Sequence, residues 1–177
     1  ALPSDKGKIA EKVGWFFILS CVANSCWLFL WQFEYLTASV VLMFLLFASL
    51  LMAYLRLGIS KSPASWRERI AVHAPFGVYF GWITIASIAN VAAALVSVGW
   101  DGFGLGAETW GILVIIIALL IVSLVVLTRR DIAYGLVIIW ALIGISANRS
   151  GNQNITLVAQ ISAVIVAVAV VASVLLE

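Results

Sequence analysis

The stretch ETWGILVIIIALLIVSLVVLT, residues 108–128, opens with one acidic residue and continues for 20 positions without a charge. A helix rises about 1.5 Å per residue, so a run of this length reaches across the roughly 30 Å hydrocarbon core of a bilayer. The apolar residues do not alternate with polar ones, which excludes a strand of a membrane β-barrel. We therefore predict that this stretch is a transmembrane helix.

Five further apolar runs lie on either side of this stretch, at residues 13–33, 35–57, 73–99, 132–148 and 155–176. None of them alternates with a period of two. The sequence therefore predicts an all-α fold, a polytopic transmembrane bundle of six spans. The longest connection, residues 58–72, is too short for a soluble domain. We interpret residues 1–177 as a single membrane domain.

Composition supports the same class of protein. Hydrophobic residues make up 64% of the chain and charged residues 10%, and the mean hydropathy is +1.17. Soluble domains have about 45–50% apolar and about 25% charged residues. A soluble protein of this size cannot bury so much apolar surface, so the lipid bilayer is the predicted partner. No basic surface interleaved with aromatic residues suggests a nucleic-acid partner.

Basic residues predict the orientation of the spans. Nine of the ten fall before the first span or in alternate connections: Lys6, Lys8, Lys12, Arg56, Lys61, Arg67, Arg69, Arg129 and Arg130. Only Arg149 falls on the other side. Cytoplasmic loops carry an excess of lysine and arginine, so both ends of the chain are predicted to be cytoplasmic. The expected membrane is a bacterial inner membrane or an equivalent organellar membrane.

Amide side chains lie within three spans, as Asn24 in the first, Asn90 in the third and Gln160 in the sixth. An amide without hydrogen bonds in hydrocarbon costs on the order of several kcal/mol, and the first and third spans also carry tryptophans. The first span has a stripe at i, i+4, i+7 and i+11: Ser20, Asn24, Trp27 and Trp31. The third has one at i, i+3, i+7 and i+11: Tyr79, Trp82, Ala86 and Asn90. Two interpretations remain open. The stripes line a shared pocket, or the amides join helices and the tryptophans fill space.

The residues do not favour catalysis. His73 is the only histidine, and its position at the start of the third span is typical of an interfacial residue. Cys21 and Cys26 are five residues apart, so a helix points them in different directions. The segment DGFGLG, residues 101–106, lacks the lysine that follows a phosphate-binding loop. We predict that the protein is not an enzyme and holds no metal, and we assign no catalytic residue.

Two segments carry a resemblance to a known family. ANSCWLFLWQFE, residues 23–34, resembles the third helix of the TspO/MBR tryptophan-rich sensory proteins, and APFGVYFGWITIASIAN, residues 74–90, resembles the fifth. The resemblance covers residues 13–99 specifically, and residues 108–177 look like an additional three-helix part found in longer bacterial forms. The family's first two helices have no counterpart here, so we expect either a truncated or processed chain or helices in another chain.

The resemblance implies binding of a flat apolar ligand between helices, such as a porphyrin or other tetrapyrrole, or a lipid, in a sensory or regulatory role. The pocket residues that it implies are Asn24, Trp27, Trp31, Tyr79, Trp82 and Asn90. Further expected partners are a second copy of the chain, in a homodimer, or the subunits of a larger membrane complex. The alternative functions are a structural or assembly subunit of such a complex and a facilitator of apolar small-molecule transport. Coupled transport is disfavoured, because the span interiors lack ionisable residues.

Overall fold

The computed structural model describes residues 3–59, 61 and 64–175, without the side chains of residues 3–10 and 12. This part of the chain contains long helices and no strand, which confirms the all-α membrane class. The helices are α1 Pro3–Gln32, α2 Leu36–Leu57, α3 Trp66–Ser97, α4 Ala107–Arg129, α5 Ile132–Asn148 and α6 Gln153–Leu175. A three-residue 3₁₀ turn, Gly102–Gly104, lies between α3 and α4.

Five of these helices, within the described ranges, are long and apolar enough to cross a membrane; in α1 the spanning part is Val13–Gln32. The α5 helix has only 17 residues, which is the lower limit for a span. The count of six spans and the cytoplasmic location of both ends therefore stay predictions. The side chains of Lys6, Lys8 and Lys12, which contribute to the predicted orientation, lie outside the described residues.

The connection between α2 and α3 differs from the predicted one. Residues 58–72 were expected to form a loop, but α3 begins at Trp66. Ser65 explains this start, because its Oγ accepts a hydrogen bond from the Glu68 N–H at 3.2 Å, as an N-cap residue does. The helix then passes through one π-helical turn, Arg69–His73, before it continues as a regular α-helix to Ser97.

The chain forms two compact units, residues 1–99 and 100–177. In the first unit α2 packs closely against both α1 and α3. Its core is centred on large apolar side chains of α2 that are fully buried: Met43, Leu46, Leu50 and Tyr54. The turn from α1 to α2 is tight, and Glu34 at its centre has the left-handed backbone conformation with φ 60°.

In the second unit α6 packs against both α4 and α5. The α5–α6 contact is close: a Cβ atom on Gly135 would overlap the side chain of Val170. Hydrogen bonds near the start of α6 connect it to α4. The Glu108 carboxylate accepts them from Asn152 Nδ2 at 3.0 Å and from Asn154 Nδ2 at 2.6 Å. Apolar packing therefore holds the spans, and polar contacts fix their ends.

Cysteine labelling tests the predicted orientation and the span count together. In a chain whose native Cys21 and Cys26 are replaced by alanine, Lys61→Cys, Gly106→Cys and Gly151→Cys place one thiol in each of three connections. We expect a membrane-impermeant maleimide added to intact bacterial cells to label the second and third variants. The first should react only after lysis. If the third variant also needs lysis, α5 does not cross the membrane.

Candidate ligand-binding site

Asn90 of α3 is 1% exposed and holds three helices together. Its Oδ1 accepts a hydrogen bond from Trp27 Nε1 of α1 at 2.8 Å, and its Nδ2 donates to Ser39 Oγ of α2 at 2.8 Å. The Ser39 hydroxyl in turn donates to the Leu36 carbonyl at 2.7 Å. Both ends of the buried amide therefore have a partner, as hydrocarbon surroundings demand. We call Trp27, Ser39 and Asn90 the Asn90 cluster.

The hydrogen bond to Asn90 also fixes the orientation of an aromatic pair. Trp31 lies one helical turn after Trp27, and the two ring centroids are 5.6 Å apart with 31° between the ring planes. Trp31 is 39% exposed, whereas Trp27 is partly buried. The first unit therefore presents an indole surface on α1 whose inner ring is held in place from α3.

A second contact joins α1 and α3 nearer the start of the spans. The rings of Phe17 and Phe76 have centroids 5.9 Å apart. The backbones of α1 and α3 each pack closely against α2 and not against one another, so these side chains span the distance between them. We call the segments 17–27 of α1 and 76–90 of α3, which lie between these two contacts, the α1–α3 window.

The other predicted site residues differ in how far they are buried. Asn24 is partly buried and makes no hydrogen bond within the described part of the chain. Tyr79 is also partly buried, and Trp82 is 46% exposed. Ser20 is fully buried, and its hydroxyl donates to the Phe17 carbonyl at 2.7 Å. Of the two predicted stripes, Trp27 and Asn90 are the pair that the hydrogen bond brings into direct contact.

Sequence reasoning missed Ser39, although a signal for it exists. Ser39 is the first residue of a buried series on α2 that continues with Met43, Leu46 and Leu50. Successive members of this series are four, three and four residues apart. A hydroxyl on the buried face of an apolar helix needs a partner, and helix spacing places it on that face. The same reasoning that singled out Asn90 thus applies to Ser39.

The site combines indole and phenol rings with amide and hydroxyl groups. Side chains of these kinds can stack on a flat apolar molecule and orient its polar edge. Among residues 3–59, 61 and 64–175, no group of three His, Cys, Asp or Glu side chains is placed to hold a metal ion. Neither cysteine of α1 is paired, and both are exposed.

Long apolar helices joined by a buried amide define a helical integral membrane protein. The model of one family, described as TSPO-like protein, matches residues 2–174, and the chain therefore belongs to the TSPO-like protein family. This confirms the resemblance seen in the two stripes. The match runs through both units, so α4, α5 and α6 are part of the family pattern. No curated protein and no solved structure shows significant similarity to the chain.

Two buried serines of α2 allow a matched test of the Asn90 cluster. The Ser39 hydroxyl accepts from another helix, whereas the Ser49 hydroxyl bonds only to the Leu45 carbonyl of its own helix. Interhelical hydrogen bonds in membrane proteins contribute about 0.6 kcal/mol on average and up to about 1.7 kcal/mol. We expect Ser39→Ala to lower the free energy of unfolding in mixed micelles by about 1 kcal/mol more than Ser49→Ala does. Equal losses would contradict an interhelical role for Ser39.

Proposed function

We propose that this protein binds a flat apolar ligand, with a tetrapyrrole as the leading candidate, in the α1–α3 window of its first unit. The observation that carries the proposal is the Trp27–Trp31 pair, whose inner ring is hydrogen-bonded to a buried amide on the facing helix. Trp27 thereby serves two purposes, because it fixes the helix packing and supplies part of the aromatic surface.

The fixed ring favours binding for an entropic reason. A side chain that is already held in one rotamer loses little freedom when a ligand stacks on it or on its neighbour. Trp31 leaves 39% of its surface open beside this fixed ring. Aromatic pairs contribute about 0.5–1.5 kcal/mol beyond the burial of their area. A porphyrin, with its extended ring system, gains more from such a surface than a saturated chain does.

The polar groups of the window suggest how a ligand would be oriented. Asn24 brings an amide, and Tyr79 brings a hydroxyl, to a mid-span position. An amide in hydrocarbon gains by finding a hydrogen-bonding partner. A guest with a flat apolar body and a polar edge meets both requirements, and tetrapyrroles and lipids both have such an edge.

We propose a sensory or regulatory role because Trp27 both joins α1 to α3 and forms part of the aromatic surface. A ligand that stacks near Trp27 acts on the same side chain that joins α1 to α3, so occupancy alters the balance of contacts among the three helices. We propose binding of this kind, without catalysis, in a bacterial cytoplasmic membrane or an equivalent organellar membrane.

The second candidate is a structural or assembly subunit of a larger membrane complex. The hydrogen bonding of Asn90 favours this alternative, because both its Oδ1 and its Nδ2 already have protein partners. On this alternative the cluster serves packing alone. Native gels after mild solubilisation separate the two, since migration only as a monomer or a small homo-oligomer would count against the complex.

A titration with protoporphyrin IX tests the proposed ligand site. The change in the Soret band is followed, because it does not depend on which tryptophan is removed. We expect saturable binding, and Kd should rise about 3- to 10-fold in Trp31→Ala and in Trp82→Ala, as the loss of one aromatic contact predicts.

The control is Trp15→Ala, which removes an exposed indole from the same helix at a position outside the stripe. Its Kd should equal that of the unmodified chain. Far-UV circular dichroism of each variant confirms that the helices are retained. The proposal fails if binding does not saturate, or if all three variants lose affinity to the same extent.

A further inference from the structure

We propose that the end of the first unit formed by the α2–α3 connection binds the headgroup of an anionic phospholipid. The residues concerned are four basic side chains, Arg56, Lys61, Arg67 and Arg69, with the exposed apolar pair Trp66 and Ile70 between them. We call these six residues the basic surface. Its partner is a lipid of the surrounding bilayer, so this binding is separate from that of the α1–α3 window.

The π-helical turn explains why the apolar pair is exposed. Along α3 a buried stripe repeats at spacings of four and three residues: His73, Gly77, Phe80, Thr84 and Ser87. Continued backwards with the same spacing, the stripe would reach Ile70 and Trp66. These two residues are instead 53% and 72% exposed. The extra residue of a π turn rotates the preceding segment by about 100°, which directs both side chains away from the buried face.

The rotated segment has the pattern of an interfacial helix. Trp66 and Ile70 are four residues apart and share one face, and Arg67 and Arg69 lie on its two flanks. Tryptophan prefers the boundary between headgroups and acyl chains. With Trp66 at that boundary, both guanidinium groups reach the level of the lipid phosphates. The Ser65 N-cap fixes the start of this segment, so the arrangement is held by the backbone.

The remaining two cations come from the preceding elements. Arg56 lies in the last turn of α2, and its guanidinium carbon sits 4.6 Å from the centroid of the Phe16 ring. A cation–π contact does not require the N–H groups of the guanidinium as hydrogen-bond donors, and Arg56 forms no ion pair within the described residues, so these donors remain for a phosphate. Lys61 is exposed, and its backbone N–H closes the turn by donating to the Gly58 carbonyl at 2.9 Å.

The four cations of this surface form no ion pair with any carboxylate in the described part of the chain. Glu68 is the one acidic residue of the segment. Clusters of at least about four basic residues next to a membrane helix favour anionic lipids. Charge complementarity and the exposed tryptophan together identify the lipid headgroup, and not a free anion, as the occupant.

Native mass spectrometry of the full chain with equal amounts of phosphatidylglycerol and phosphatidylcholine tests this inference. We expect preferential retention of phosphatidylglycerol. Arg67→Gln/Arg69→Gln should reduce the preference at least about fivefold, because each basic residue near an anionic surface has an effect of about that size. Arg149→Gln, at an exposed position outside this surface, is the control and should leave the preference unchanged.

Two further variants separate charge from geometry. Glu68→Gln removes a negative charge and should keep or increase the preference. Deletion of Ala71 removes the extra residue of the π turn with all four cations retained, and it should reduce the preference in a chain that stays monodisperse and helical. Equal retention of the two lipids by the unmodified chain, or an equal loss in Arg149→Gln, would overturn the proposal.

Discussion

An amide side chain that is fully buried between membrane helices has to find its hydrogen bonds inside the protein, and Asn90 finds them on two other helices. The Trp27 indole and the Ser39 hydroxyl each lie 2.8 Å from it. Apolar packing alone discriminates weakly between arrangements of membrane helices, because lipid tails are as apolar as leucine. The amide adds specificity, because its two hydrogen bonds form only when Trp27 of α1 and Ser39 of α2 both face Asn90.

The aromatic surface of the first unit depends on the same constraint. Trp27 is held by its N–H, and Trp31 packs on it one turn later. One residue of each predicted stripe, Trp27 of α1 and Asn90 of α3, therefore contacts the other directly. The two interpretations that the sequence left open are not exclusive, because a residue that joins helices also fixes the ring that a ligand would meet. Family membership supports the class of protein, and the ligand remains a proposal.

The helices were predictable because each span has to satisfy its own backbone in the bilayer, so length and composition suffice to find it. The inward direction of Asn90 followed from the same argument. Ser39 was missed because one hydroxyl in an apolar run carries little signal. The early start of α3 at Trp66 was missed for another reason. It depends on the Ser65 N-cap and a π turn, and a π turn interrupts the spacing from which helices are recognised.

The second unit shows what sequence patterns leave undetermined. Its spans are nearly uniform in apolar character, so the sequence identifies α4 and α6 but not their packing. Gly135, against Val170, allows the close α5–α6 approach. The Gln160 side chain donates to Ser146 Oγ at 3.1 Å, which is a second hydrogen bond between helices of this unit. Such pairs become visible only when the helices are placed in space.

The most direct test of the Asn90 cluster is a double-mutant cycle between Trp27→Phe and Asn90→Leu, measured as the free energy of unfolding in mixed micelles. The coupling energy isolates the contact between the two side chains from their separate contributions to packing. The structure predicts a favourable coupling of about 0.6–1.7 kcal/mol. A coupling energy of zero would show that the two helices are not joined through this hydrogen bond.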